Sequence, residues 1–99
     1  MLESALRRER GFVPIVEIYT KMFCGYCYRA KQLLDKKGVA YKEIDTTSSP
    51  ELRDEARRRS GGGQTVPQIF IDGEAIGGSD ELAALEARGA LDAKLGLKA

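Results

Sequence analysis

A β-branched run, "PIVEIYT" (residues 14–20), gives way to a segment of helical period, and that segment to a second alternating run, "VAYKEID" (residues 39–45). In the first run Ile15, Glu17 and Tyr19 alternate with Val16 and Ile18, the two-residue period of a strand. Between the runs Cys27, Ala30 and Leu34 fall at i, i+3 and i+7 with Leu33 alongside. "KKG" closes that segment with basic residues in its last turn and Gly38 as the stop. A helix joining two strands supplies the crossover that makes them parallel neighbours in one sheet. This β-α-β unit commits the chain to an α/β architecture.

The remaining segments extend that unit. "SSPELRDEARRR" starts a helix in one of two registers, with Ser48 capping and Glu51 three residues on, or with Ser49 capping and Pro50 in the first turn. Its apolar face is thin, mainly Leu52 and Ala56, which predicts a surface helix. "SGGGQ" (residues 60–64) reads as a flexible loop. "TVPQIFIDGEAIGG" then offers two short antiparallel strands around Asp72-Gly73, a strong hairpin signal. "SDELAALEARGALDAKLG" supplies a last helix with Leu82 and Leu85 inward, a break at Gly89, and one more turn through Leu91 and Leu95. The order β-α-β, α, β-β-α predicts a four-stranded mixed sheet flanked by helices. Residues 1–12 read as an N-terminal extension to a domain spanning residues 13–99.

A chain of 99 residues builds one core. Sixteen basic against fifteen acidic residues leave a charge of +1, so no overall field argues for nucleic acid or an anionic membrane. The run Arg57, Arg58, Arg59 complements a helix C-terminus and can pair with Asp54 and Glu55, which reads as a solvated helix end. No apolar run approaches the roughly 18 residues of a membrane helix. "MLESALRRER" lacks the apolar centre of a secretion signal, and Glu3 and Glu9 interrupt its basic character. These features predict a soluble, cytoplasmic protein.

The chemistry concentrates in Cys24 and Cys27, the two cysteines of a chain without histidine. A structural zinc site takes four Cys or His ligands, which this chain lacks. A structural disulfide across so short a loop constrains the unfolded chain little, and a reducing cytosol opposes it. A Cys-x-x-Cys between the first strand and helix of a β-α-β unit is where a redox dithiol is expected. At a helix N-terminus Cys24 faces unpaired N–H groups and the positive end of the macrodipole, both of which favour a thiolate. Lys21 either adds a positive charge there or is a solvated loop lysine. Cys27, one turn along beside Ala30 and Leu34, is expected to be more buried and less acidic. Cys24 is thus the expected nucleophile and Cys27 the resolving thiol.

Four separated segments, "YTKMFCGYC", "TVPQIF", the "DG" hairpin and "GGSDEL", resemble those of a glutaredoxin, and the resemblance extends over residues 15–95. Thioredoxins carry a Trp before the motif, and this chain has no Trp. The resemblance implies a thioredoxin-like fold and glutathione-dependent reduction of glutathionylated or disulfide-containing proteins by a monomer. It implies a cis Pro67 facing Cys24, where one sequence alone favours a trans proline opening an edge strand. It further implies that the Val66 backbone pairs with the cysteine of glutathione, with Thr65 in the same segment, and that Tyr26 lies beside the sulfur. Gly78, Ser79 and Asp80 would hold the γ-glutamyl end, and Lys21 and Gln64 the glycine carboxylate. From the residues alone, Ser79 or Asp80 also reads as a plain N-cap.

Gly25 departs from the Cys-Pro-Tyr-Cys usual in dithiol glutaredoxins. Proline at the first helical position stiffens the turn, whereas glycine leaves it mobile with an N–H available. In the family, Gly or Ser there accompanies members that hold a [2Fe–2S] cluster between two subunits through the active-site cysteine and a glutathione from each. The resemblance therefore implies an alternative in which Cys24 is a cluster ligand in a dimer.

Overall fold

The computed structural model describes residues 14–97. The proposed extension, residues 1–12, lies outside the described residues. The described elements are β1 (Val16–Thr20), α1 (Gly25–Lys36), β2 (Lys42–Asp45), α2 (Pro50–Arg59), β3 (Gln68–Ile71), β4 (Glu74–Gly77), α3 (Ser79–Ala87) and α4 (Leu91–Lys94). The strand order is β2-β1-β3-β4. β1 runs parallel to β2, with Tyr19 opposite Ile44, and antiparallel to β3, with Ile18 opposite Ile69. The expected mixed sheet is therefore formed, and the β-α-β crossover places its two strands side by side.

Sheet position explains the burial of β1. It has a paired strand on each edge and helices packed on each face: Val16 and Ile18 point to one face and Tyr19 to the other. The first face packs with Ile69 and Ile71 against Ala30 and Leu34 of α1, Leu82 and Leu85 of α3, and Leu91 and Leu95. The second holds Tyr19, Phe70 and Ala56, with the Tyr19 and Phe70 rings edge to face at 5.6 Å. The result is three layers, with α2 the helix that covers the second face among the described residues.

One boundary differs from the sequence reading, and another settles on one of its two alternatives. The second strand begins at Lys42 rather than Val39, because Val39 completes the end of α1. Gly38 takes φ 71°, its N–H bonds to Asp35 at 3.0 Å, and the Val39 N–H reaches back to Leu34 at 3.4 Å. That pair of bonds is the Schellman termination, which only a residue comfortable at positive φ completes cheaply. At α2 the choice of caps resolves to Ser49, whose hydroxyl accepts the Leu52 N–H at 3.2 Å with Pro50 first in the helix.

The arginine run is also divided differently. Arg57 pairs with Asp54 at i, i+3, but Arg59 leaves its own helix to grip the sheet. Its guanidinium donates to Glu17 at 2.8 Å and to the Tyr19 hydroxyl at 2.8 Å, and lies 4.2 Å from the centre of the Phe70 ring. The Tyr19 hydroxyl in turn donates to Glu55. Burial, then the bond to Glu55, pushes the Tyr19 hydroxyl upward, so it remains a neutral donor. Because α2 has one small buried anchor, Ala56, these polar ties do much of the docking. Arg59→Ala removes a charge-assisted bond and a stacked cation that are only partly screened, and is expected to lower unfolding stability by about 2 kcal/mol in denaturant titration.

Candidate active site

The chain leaves β1 at Thr20, turns over Lys21, Met22 and Phe23, and enters α1 with Cys24 as its N-cap. Cys24 has extended backbone, φ −109° and ψ 105°, and its sulfur accepts the Cys27 N–H at 3.1 Å. The sulfur therefore occupies the place a Ser or Asp oxygen takes in an ordinary cap, with a backbone donor of the first helical turn aimed at it. The thiol in turn donates to the Val66 carbonyl at 3.8 Å.

Val66–Pro67 is cis, and it faces Cys24 across the top of the sheet through that contact. Pro67 does not open an edge strand: β3, which follows it, lies between β1 and β4. The segment is braced by Gln68, buried with its amide donating to the Thr65 carbonyl at 2.9 Å. A Cβ on Gly63 would sit 2.7 Å from that amide nitrogen, so glycine is the residue that lets the loop lie against it. On the other side of Cys24, the Thr46 N–H and hydroxyl both donate to the Thr20 carbonyl at 2.8 Å, and Thr47 accepts the Met22 N–H at 2.8 Å.

The two thiols are free and unequal. Cys24 is partly exposed, whereas Cys27 is buried at 2% exposure. Burial first, then the hydrogen bond Cys27 gives to Cys24, pushes the Cys27 thiol up to about 12, against smaller opposing effects of the Lys21 N–H and the Lys31 charge. The expected division into an accessible and a protected thiol is thus present in the geometry.

A groove of about 320 Å³ is lined by Tyr26, Thr65, Val66, Pro67, Gly78, Ser79, Asp80 and Glu81. Seven residues singled out from the sequence therefore share one wall system. Gln64 lines an adjoining cavity of about 180 Å³ with Arg53, Ala56, Arg57 and Gly63, and Thr65 and Val66 border both. Lys21 is exposed and belongs to neither lining. Arg53 was not expected: its guanidinium donates to the Gln64 carbonyl at 3.2 Å. Arg53 and Arg57 share a face of α2 at i, i+4, but sequence spacing cannot show that residues 60–64 fold back over that face.

The start of α3 departs from both simple caps. Gly78 is the N-cap, with Ser79 and Asp80 the first two helical residues, and the Glu81 carboxylate accepts the Gly78 N–H at 2.7 Å. Gly78 has no side chain to return the bond, so only the Glu81 half of a capping box exists. The Ser79 and Asp80 amides have no intrahelical acceptor by helix geometry, and both residues line the groove. Among the described residues no three His, Cys, Asp or Glu side chains converge on a metal position.

A reduced Cys-x-x-Cys whose first sulfur caps a helix beside a cis-proline, on this sheet, defines a thiol–disulfide oxidoreductase of the thioredoxin-like fold. The glutaredoxin family model matches residues 16–76. The chain is 56% identical over 77 residues to glutaredoxin 3 of Escherichia coli strain K12, covering 78% of this chain and 92% of that one. It is 53% identical over 83 residues to a glutaredoxin of Pseudomonas aeruginosa, covering 84% and 98%. Among solved structures, the buckwheat glutaredoxin–glutathione complex superposes with a TM-score of 0.75 at 30% identity, covering 95% of this chain and 89% of that one. The chain belongs to the glutaredoxin family.

Gly25 can be tested directly. A Cβ there meets nothing within 4 Å, and the extended backbone of Cys24 suits a residue preceding proline. Gly25→Pro at the first helical position is expected to raise unfolding stability by about 0.5–1 kcal/mol, chiefly by restricting the unfolded chain, as read from the denaturation midpoint.

Proposed function

We propose that this chain is a glutathione-dependent oxidoreductase that reduces protein–glutathione mixed disulfides and protein disulfides. The observation that carries the reading is the groove running past Val66 beside Cys24 to the amides that begin α3, with the Arg53–Gln64 cavity adjoining it. Glutathione has a carboxylate at each end, an amine at the γ-glutamyl end and a thiol between. The Ser79 and Asp80 amides suit the γ-glutamyl carboxylate, and the Asp80 carboxylate the amine. Val66 offers strand-like backbone pairing to the central cysteine, and Tyr26 packs beside its sulfur. In this reading Lys21 and Gln64 take the glycine carboxylate, and Arg53, which donates to the Gln64 carbonyl, joins them. A relative whose solved structure is a complex with glutathione supports the same ligand class.

The chemistry follows from the unequal thiols. The Cys24 thiolate forms a bond to the glutathione sulfur of a mixed disulfide, that disulfide breaks, and the protein thiolate leaves and takes a proton. A second glutathione thiolate attacks the glutathionylated Cys24 at the glutathione sulfur, so glutathione disulfide leaves and the Cys24 thiolate is restored. For a protein disulfide, Cys24 attacks one sulfur, the protein S–S bond breaks, and the other sulfur leaves as a thiolate and takes a proton. Cys27 then attacks Cys24, closing Cys24–Cys27 and freeing the second protein thiol, and two glutathiones reduce the pair. We place this reaction in the cytoplasm, where glutathione keeps thiols reduced.

Glutathione-driven turnover of a glutathionylated peptide tests the reading. Robust turnover by the wild type is expected; none at millimolar glutathione would overturn it. The [2Fe–2S] alternative needs four thiolates, and with Cys27 buried the chain offers Cys24, so the other ligands must come from a second copy and two glutathiones. Iron and visible absorbance after anaerobic reconstitution with glutathione would favour it, and a colourless monomer would count against it.

A further inference from the structure

Phe23, immediately before the nucleophile, is 97% exposed and held at φ 58°. Both facts are unfavourable for a phenylalanine: an L residue is strained in the left-handed region, and an apolar ring in water gains nothing. Glycine or asparagine would make the same turn more easily. The backbone that presents the ring is fixed on both sides, by the Met22 N–H to Thr47 and by the Cys24 cap. Met22 and Tyr26 are each 56% exposed, so three large apolar side chains lie within two residues of Cys24 along the chain and face water. Strain held at an exposed position beside a reacting atom points to use by a partner.

The chemistry decides what that partner is. When Cys24 is linked to a cysteine of another polypeptide, the two Cα atoms stand about 4.4–6.8 Å apart. Phe23 is one residue, about 3.8 Å, from Cys24, so the side chains flanking the substrate cysteine come within reach of its ring. We propose that Phe23, with Met22 and Tyr26, is the docking surface for the protein substrate and selects cysteines flanked by a large apolar residue. The proposal rests on the disulfide-exchange function above and names the class of protein it favours.

The test uses two cyclic peptides, each closed by one disulfide and differing in Leu or Ser beside the attacked cysteine. In single turnover without glutathione, the reduced dithiol becomes Cys24–Cys27 and the peptide disulfide becomes two thiols, so the exchange balances without another reductant. The wild type is expected to react about tenfold faster with the Leu peptide, and Phe23→Asn, which tolerates the backbone, to lose that preference. Turnover of the mixed disulfide of glutathione and 2-mercaptoethanol, which has no flanking residues, is expected to hold within about twofold in the same variant. Equal wild-type rates with the two peptides, a preference that survives Phe23→Asn, or an equal loss on the small mixed disulfide would each overturn the proposal. A wild type that prefers the Leu peptide but is not turned over by glutathione would keep the docking surface and overturn the glutathione dependence.

Discussion

Cys24→Ser is expected to abolish both the deglutathionylation of peptides and the reduction of protein disulfides, by at least about 10³-fold in kcat/KM, because a neutral hydroxyl replaces the group that forms the intermediate. Cys27→Ser is expected to retain deglutathionylation within about threefold and to lose protein-disulfide reduction. The asymmetry comes from the geometry. Cys24 is partly exposed at the helix cap beside Val66, whereas Cys27 is buried and hydrogen-bonded to Cys24. Steady-state assays of the three proteins on a glutathionylated peptide and on a cyclic peptide disulfide separate the routes. Equal losses in the two variants would sink the division of labour.

Much of this arrangement is legible in the sequence because its signals are local. The period change after residue 20 marks β1 and α1, Gly38 ends α1, and Asp72-Gly73 makes the β3–β4 turn with both residues at positive φ. Cys24 as the cap follows from where the helical period begins. What sequence spacing does not carry is contact between distant segments. Arg59 reads as the basic end of α2, but a guanidinium 42 positions from Glu17 pairs with it only because α2 docks across β1. Arg53 joins Gln64 only because the glycine-rich loop folds back. A Ser79 or Asp80 cap for α3 is the plain alternative the residues offer, but the Glu81 carboxylate takes the Gly78 amide and the helix starts at a glycine instead. The implied cis Pro67 came from likeness to known sequences, since nothing in the residues themselves distinguishes it from a trans proline.

The resolving step is expected to accelerate steeply with pH. Cys27 must ionise to attack Cys24, and burial, with the hydrogen bond to Cys24 adding to it, holds its thiol up to about 12. Below that value the thiolate fraction grows about tenfold per pH unit, so closure of Cys24–Cys27 in single turnover should rise about 100-fold between roughly pH 7 and pH 9. Attack by free glutathione should level off near its ordinary thiol range, about 8.5. Once Cys24 is in a mixed disulfide its hydrogen bond is lost but burial remains, so the slope persists. Stability carries the same signature with a defined sign. A thiol raised in the folded state adds stability that is fully present below the unfolded value of about 8.5 and is lost as pH rises toward the folded value, because the unfolded chain then binds fewer protons. The stability of wild type relative to Cys27→Ala should therefore fall by about 2 kcal/mol between roughly pH 8 and pH 10. Denaturation of both proteins at the two pH values checks it; a constant difference would remove burial as the cause, and a flat closure rate would show that another group takes the Cys27 proton.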